Sequence, residues 1–335
     1  MSDSKLIDTH GRAHRDLRVS LTDRCSLRCT YCMPADFAQW IPSAELLTTD
    51  ELMTVLRVAI EEGINEVRLT GGEPLLRPDA ADIVHRINSL PAPPRVSVTT
   101  NGLRLAAQAG ALRDAGLERV NVSLDTLSRE RFKAMTHRDR FDDVIAGLAA
   151  AKAVGLAPIK VNTVLMPGVN DDEAVTMLRR ALDEGWRLRF IEQMPLDAGG
   201  IWNRASMVTA ERILDDLSRV FDLTPVPVRG SAPAEEFFVD GGPETVGIIA
   251  SVTRPFCGNC DRMRLTADGQ LRNCLFARDE SDLRAVLRDE SRDQAEIDQE
   301  IRRRLHASIA AKLPGHGIDD PRFIQPPRPM SAIGG

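Results

Sequence analysis

The chain has 335 residues, 43% of them hydrophobic, and a net charge of −6 from 43 basic and 49 acidic side chains. That length suits one large α/β domain or two smaller ones, and the negative balance excludes a general attraction to nucleic acid or to anionic membranes. No apolar run approaches the ~20 residues that span a bilayer, and residues 1–15 lack the apolar stretch of a signal peptide, so the expectation is a cytoplasmic protein.

Residues 1–15 read as a polar N-terminal arm. From residue 16 to about 221 a strand–helix alternation repeats six times. In chain order it predicts a strand over 17–22, a helix near 50–62, a strand over 66–70, a helix near 79–88, a strand over 95–100, a helix near 104–115, a strand over 119–124, a helix near 141–154, a strand over 158–164, a helix near 171–184, a strand over 187–191 and a helix near 209–219. Thr49-Asp50-Glu51 and Asn170-Asp171-Asp172-Glu173 place capping and acidic residues in first turns, and Gly63, Gly116, Gly155 and Gly185 stand where helices should stop. Repeated βα units imply parallel strands joined by right-handed crossovers. A second region, 222–335, begins with Pro225, Pro227 and Pro233, followed by short strand-like pieces. Residues 262–266 and 270–274, joined around Asp268-Gly269, predict a hairpin. Helices near 282–288 and 295–312 come next, and the Pro- and Gly-rich tail from 314 to 335 should be irregular.

Strands of an all-parallel sheet usually read apolar on both faces. Here five of the six alternate: Leu17, Val19 and Leu21 oppose Arg18, Ser20 and Thr22, and the same holds for Val67/Arg68, Val98/Thr99, Val122/Ser123 and Val161/Lys160. The sixth strand is less regular. If the apolar faces meet the helices, the polar faces line a lumen. A lumen holding Arg18, Arg68 and Lys160 needs a ligand, because unpaired buried cations are costly. The alternative is a sheet with one solvated face.

All six cysteines fall in two groups: Cys25, Cys29 and Cys32, then Cys257, Cys260 and Cys274. Without a secretory signal they sit in a reducing compartment, and three thiols within eight residues read as metal ligands rather than disulfide partners. The first group follows the first strand, at the end of the sheet where barrel enzymes keep their chemistry. Three thiolates suit a four-iron cluster with one open iron; a structural zinc normally closes with four ligands, and no fourth Cys or His lies within ten residues. For the second group, zinc and a cluster both fit the spacing, with His306 or His316 as a fourth zinc ligand.

Cys25-Ser26-Leu27-Arg28-Cys29-Thr30-Tyr31-Cys32 resembles the CxxxCxxC signature of the radical S-adenosylmethionine (SAM) enzymes, and Gly71-Gly72-Glu73-Pro74 their GGE motif. Beyond the superfamily, the chain resembles the GTP 3′,8-cyclases. The likeness lies in the runs 16–23, 99–102, 121–125 and 190–194, in Phe256-Cys257-Gly258-Asn259-Cys260-Asp261-Arg262-Met263-Arg264-Leu265, in Asn273-Cys274-Leu275-Phe276 and in the terminal Gly334-Gly335. It runs from about residue 11 to the end, without a departure at a motif position.

This resemblance implies an α/β fold: an incomplete (β/α)6 barrel of the radical SAM type, with a C-terminal α+β extension that carries a second cluster and closes the barrel mouth. It implies two [4Fe–4S] clusters, on Cys25, Cys29 and Cys32 with SAM and on Cys257, Cys260 and Cys274 with the substrate. The implied reaction is that of a lyase: a 5′-deoxyadenosyl radical takes hydrogen from C3′ of GTP, C3′ attacks C8, and (8S)-3′,8-cyclo-7,8-dihydroguanosine 5′-triphosphate forms, the first step of molybdenum cofactor biosynthesis. Position by position it gives Tyr31, Gly72, Ser123 and Met194 to SAM, and Arg18, Arg68, Thr99, Lys160, Arg262, Met263 and Arg264 to GTP. It also gives the tail, Gly334 and Gly335, a place in the active site, whereas composition alone reads a frayed end. Implied partners are an electron donor, cyclic pyranopterin monophosphate synthase as the next enzyme, and a second copy in a homodimer. Two other readings keep part of the pattern: a radical SAM enzyme with an auxiliary cluster and another substrate, or a non-enzymatic cluster carrier. The cations argue against the first and the GGE motif against the second.

Overall fold

The computed structural model describes residues 5–197, 200, 202–320 and 322–334. Strands β1 (Asp16–Ser20), β2 (Glu66–Thr70), β3 (Arg95–Thr100), β4 (Arg119–Ser123), β5 (Ile159–Val164) and β6 (Arg187–Ile191) pair in chain order, each parallel to the next. The crossovers carry α1 (Thr49–Glu61), α2 (Ala80–Asn88), α3 (Leu105–Asp114), α4 (Arg129–Thr136), α5 (Phe141–Ala153) and α6 (Ala174–Glu184), and α7 (Ala210–Ser218) follows β6.

Two helix starts differ from expectation for local reasons. The cap of α1 is Thr48, one residue earlier, in a reciprocal capping box with Glu51. Helix α6 begins three residues late because Asn170 and Asp171 are used in the preceding turn: Asn170 accepts from Met166 N–H at 2.7 Å and Asp171 from Gly168 N–H at 2.9 Å. The unanticipated α4 is short and charged, with Phe132 and Met135 as its buried apolar contacts.

Leu17, Val19, Val67, Leu69, Val98, Val122, Val161, Leu188 and Phe190 are buried in one core with the apolar stripes of the helices. Each such side chain contributes ~1.5–3 kcal/mol, and a one-residue slip of a strand would expose its whole set. The register is therefore fixed, and the alternate residues are committed to the other face.

The C-terminal region adds strands to both edges of this sheet. β7 (Leu223–Pro225), β8 (Glu235–Val239) and β9 (Thr245–Ile249) are antiparallel to one another, and β9 lies parallel beside β6. β10 (Arg262–Leu265), β11 (Gln270–Arg272) and β12 (Ser281–Asp282) form a second antiparallel set, with β10 parallel beside β1. Among the described residues the sheet thus has twelve strands, in the order β12-β11-β10-β1-β2-β3-β4-β5-β6-β9-β8-β7. The chain between β9 and β10, residues 250–261, crosses from one edge to the other, and Ser251 and Phe256 on it face the lumen. Helices α8 (Leu283–Leu287) and α9 (Gln294–Ala310) follow; Arg57 on α1 binds Asp298 on α9 at 2.6 Å.

Both chain ends are more ordered than their composition suggests. The arm folds back through an Ile7–Ala13 bridge, with Leu6, Asp8, Arg12 and His14 buried. The tail forms a last short helix, α10 (Met330–Ile333). Among the described residues no helix is long and apolar enough to cross a membrane.

Candidate functional site

The first cysteine group occupies the loop after β1, and the GGE loop after β2 packs directly on it. Gly72 N–H donates to the Thr22 carbonyl at 2.7 Å and Glu73 N–H to that of Arg24 at 2.8 Å. A Cβ on Gly71 would overlap the Thr22 carbonyl oxygen, and one on Gly72 those of Asp23 and Arg24, so this approach requires both glycines. Fully buried Glu73 then ties in the third loop: it accepts from the Thr100 hydroxyl and Asn101 N–H, both at 2.7 Å, and from Leu75 N–H at 2.9 Å. Burial nevertheless pushes its carboxyl up to about 6.

Cys25, Cys29 and Cys32 line one cavity with Gly72, Asn101 and Ser331. All six cysteines are free thiols. Burial pushes the Cys32 thiol up to about 12 and that of Cys29 well above its usual range, so thiolates here need a compensating positive centre. Among the described residues, no three His, Cys, Asp or Glu side chains gather closely enough to hold a single metal ion. A zinc would need sulfurs at ~2.3 Å from a common point. Three thiols lining one cavity could serve as ligands to an iron–sulfur cluster.

The cavity continues inward. A neighbouring one shares Tyr31, Thr99, Ser123 and Asp125 with it and is lined further by Arg18, Arg68, Met194, Arg262 and Arg264. Lys160 lies in an adjoining space toward the N-terminal ends of the strands, which shares Arg68, Arg189 and Arg262. The site residues expected from sequence therefore come together, with one correction. The Met263 side chain is fully buried in the core, paired beside Leu17 with 0% solvent exposure; it points away from the lumen because its β10 neighbours Arg262 and Arg264 point in. Its side chain cannot contact a ligand there.

Among the lining residues that sequence reading missed, two bear on the chemistry. Asp125 accepts from Tyr31 Oη at 2.8 Å and from Val164 N–H at 2.9 Å, and burial pushes its carboxyl up to about 6. Arg189 lies on β6 between buried Leu188 and Phe190, an alternation visible in the sequence.

Cations crowd the inner part. The buried Nε atoms of Arg18 and Arg68 have no hydrogen-bond partner among the described residues. Burial, reinforced by neighbouring guanidinium groups, pushes Arg18 well down, Arg189 to about 9, Arg264 to about 10 and Lys160 to about 7. Such a set is built for an external polyanion.

The second cysteine group sits at the opposite end of β1 from the first. Asp16 pairs with Arg262, so Cys257 and Cys260 precede β10 at that level, and the β10–β11 hairpin returns Cys274 to it. Burial raises the Cys257 thiol; at Cys260 burial is outweighed by Arg262 and Lys312, and the thiol is pushed down. The Arg262 guanidinium lies 4.4 Å from the centre of the Phe256 ring.

The tail enters between the two cysteine groups: its described residues before α10 are irregular, as composition suggests, but its end is not frayed. Arg328 binds Asp268 at 2.9 and 3.1 Å, Ile333 is fully buried, and Arg264 donates to the Gly334 carbonyl. The Ser331 backbone favours the Cys32 thiolate. Gly334 has φ 72°, and a Cβ there would lie 2.5 Å from Ser20 Oγ. Gly335 lies outside the described residues.

Comparison with known proteins agrees with this geometry. Residues 19–181 match the family model of the radical SAM superfamily and residues 186–318 that of Molybdenum Cofactor Synthesis C. A GTP 3′,8-cyclase of Streptomyces coelicolor is 58% identical, over 98% of this chain and 96% of the relative. One of Mycolicibacterium smegmatis is 54% identical, over 100% and 93%. Among solved structures, Streptococcus suis SuiB bound to S-adenosylmethionine shares the fold at a TM-score of 0.62 and 13% identity, over 89% of this chain and 68% of that one. By sequence along its whole length, the chain belongs to the GTP 3′,8-cyclases, radical SAM lyases of molybdenum cofactor biosynthesis.

Proposed function

We propose that this chain converts GTP to (8S)-3′,8-cyclo-7,8-dihydroguanosine 5′-triphosphate, with residues 16–221 generating the radical and 222–335 presenting the substrate. Cys25, Cys29 and Cys32 would hold the [4Fe–4S] cluster that cleaves SAM, supplying a 5′-deoxyadenosyl radical for hydrogen abstraction at C3′. Cys257, Cys260 and Cys274 would hold a second [4Fe–4S] cluster facing the guanine. Carrying this reading is the run of adjoining cavities, lined by thiols and Gly72 at one end and by Arg18, Arg68, Lys160 and Arg262 at the other.

In this reading Gly72, Tyr31, Ser123 and Met194 bind SAM, and the Asp125 carboxylate fixes the Tyr31 hydroxyl. Arg18, Arg68, Lys160 and Arg264 neutralise the triphosphate, joined by Arg189, while Thr99 and Arg262 orient the nucleoside. Closure of the lumen by the 250–261 crossing and by α10 keeps water from a reactive radical. Gly334, with Gly335 beyond it, positions the substrate through Arg264. The reading includes a cytoplasmic location, where thiols stay reduced, an electron donor, and cyclic pyranopterin monophosphate synthase to consume the product.

The test is anaerobic incubation of the reconstituted protein with SAM, a reductant and GTP. The expected result is 5′-deoxyadenosine and the cyclised nucleotide in step. SAM cleavage that is indifferent to GTP, with no cyclised product, would overturn the substrate assignment.

A further inference from the structure

Lys312 is a buried cation that the lumen does not use. It follows α9, is 4% exposed, and its Nζ donates to the Arg262 carbonyl at 2.6 Å and to the Cys260 sulfur at 3.6 Å. The groups favouring its charge are the Cys260 and Cys274 sulfurs; burial opposes it, as do Arg12 and Arg262.

Its position is held from two sides. Arg12 of the N-terminal arm donates to the carbonyls of Leu313 at 2.8 Å, of Pro314 at 3.2 Å and of Cys257 at 2.7 Å. Arg12 is in turn fixed by Asp8 at 2.6 Å, and Asp8 by His14 at 3.0 Å. A few residues on, the His316 backbone favours the Cys257 thiolate and the His316 ring bonds the Ser251 carbonyl at 2.9 Å. Residues 312–316 and the folded arm thus form one clamp on the loop that carries Cys257 and Cys260. In the first group, by contrast, the groups that hydrogen-bond sulfur among the described residues are uncharged: the Asn101 amide at 3.7 Å and the Leu27 backbone at Cys25, the Tyr31 hydroxyl at Cys29 and the Ser331 backbone at Cys32.

We infer that Lys312 is a positioning residue of the second cluster: its ammonium, held between the Cys260 sulfur and the Arg262 carbonyl, offsets thiolate charge, raises that cluster's reduction potential and fixes Arg262 beside it. The inference rests on the reading of Cys257, Cys260 and Cys274 as cluster ligands. Hydrogen bonds and positive charge at cluster sulfurs favour the reduced, more negative state, and Lys312 supplies both to one ligand. Because the same Nζ holds the Arg262 backbone, cluster and substrate cation move as one unit.

The test uses the anaerobically reconstituted holoenzyme, with iron and sulfide counts and a redox titration followed by electron paramagnetic resonance. Cys29→Ser and Cys274→Ala proteins identify which signal belongs to which cluster. About eight irons per wild-type chain establish the second cluster; about four would overturn that underlying reading, separately from the role of Lys312. Given two clusters, Lys312→Met should lower the potential of the second and leave the first unchanged, and Lys312→Arg, which keeps the cation, should restore most of it. An unshifted potential in Lys312→Met, or a Lys312→Arg protein as shifted as the Met variant, overturns the inference. If Lys312→Met fails to hold the second cluster, the Arg variant decides: a full iron count sustains the role of the charge, and a half count shows that the position supplies only packing.

Discussion

Lys160 gives the most quantitative handle on the cationic lumen. Burial, then repulsion from Arg189, Arg68 and Arg119, pushes its ammonium down to about 7 from the usual 10.5, with Glu236 as the opposing anion. A triphosphate set against it should return the pKa toward the ordinary value, so GTP binding takes up a proton. The favourable term is fully present below pH 7 and is lost as pH rises above it. At pH 8 the free protein holds only ~10% of Lys160 charged, and binding should take up ~0.9 proton; affinity should fall ~5-fold between pH 7 and 8. The terminal phosphate is already ionised there, its second pKa being about 6. Calorimetry at pH 8 in buffers of different ionisation enthalpy, anaerobically and without SAM, measures the uptake. Lys160→Met should abolish it, and at pH 6 should weaken GTP binding ~10- to 100-fold, the loss of one charge-assisted hydrogen bond of about 1.5–3 kcal/mol. Equal proton uptake by wild type and Lys160→Met, or unchanged affinity in the variant, would refute the placement of the triphosphate.

Three further outcomes are expected. Cys29→Ser should abolish 5′-deoxyadenosine formation while about four irons per chain remain; SAM cleavage by that protein would refute the assignment. Cys274→Ala should stop cyclisation but allow uncoupled SAM cleavage, checked by following both products; a normal cyclisation rate would contradict the substrate role. Gly334→Ala should expel the tail, since its Cβ would meet Ser20 Oγ at 2.5 Å and Thr70 Cγ2 at 2.9 Å at φ 72°, a backbone conformation costing other residues ~1–2 kcal/mol. Cyclisation should then fall with both clusters intact, and full activity would show the tail to be dispensable.

The βα core was legible because its signals are local. Period-two alternation located β2 and β3 to the residue, the range of β6 was also met, and glycines marked helix ends such as Gly185, the left-handed cap of α6. The same alternation put Arg18, Arg68 and Lys160 on the lumen face before any partner was known. Where the pattern was thin an element was missed, or, as at β6, its range was found but not its lumen face. Helix α4 offers little apolar periodicity, and β6 carries Arg187 and Ile191 on the side where Arg189 faces the lumen. In the second region the prolines read as a break, yet Pro225 ends the edge strand β7, a position where no ladder hydrogen bond is lost. That β10 should pair with β1, across more than 200 residues of chain, has no local signal at all.

The parts least visible in the sequence are those that finish the site, and the cause is common to them. Asp8, Arg12 and His14 read as an exposed polar arm because polar residues near a terminus default to solvent. Their burial depends on the carbonyls of Cys257, Leu313 and Pro314, which only the folded chain presents. Arg328 likewise orders the tail through Asp268, 60 residues away. Gly334 becomes informative only once Ser20 and Thr70 close in on it. In each case a terminal segment of low intrinsic order is fixed by hydrogen bonds from guanidinium groups, whose several donors satisfy several carbonyl or carboxylate oxygens at once. The candidate cluster ligands could be read as spacings, because a cluster would impose distances along the chain. The enclosure could not, because an arginine does not announce which distant carbonyls it will meet. The order of the arm and of the tail therefore depends on the completed C-terminal region, so a truncation there should loosen both ends of the chain and open the lumen, even with every cysteine in place.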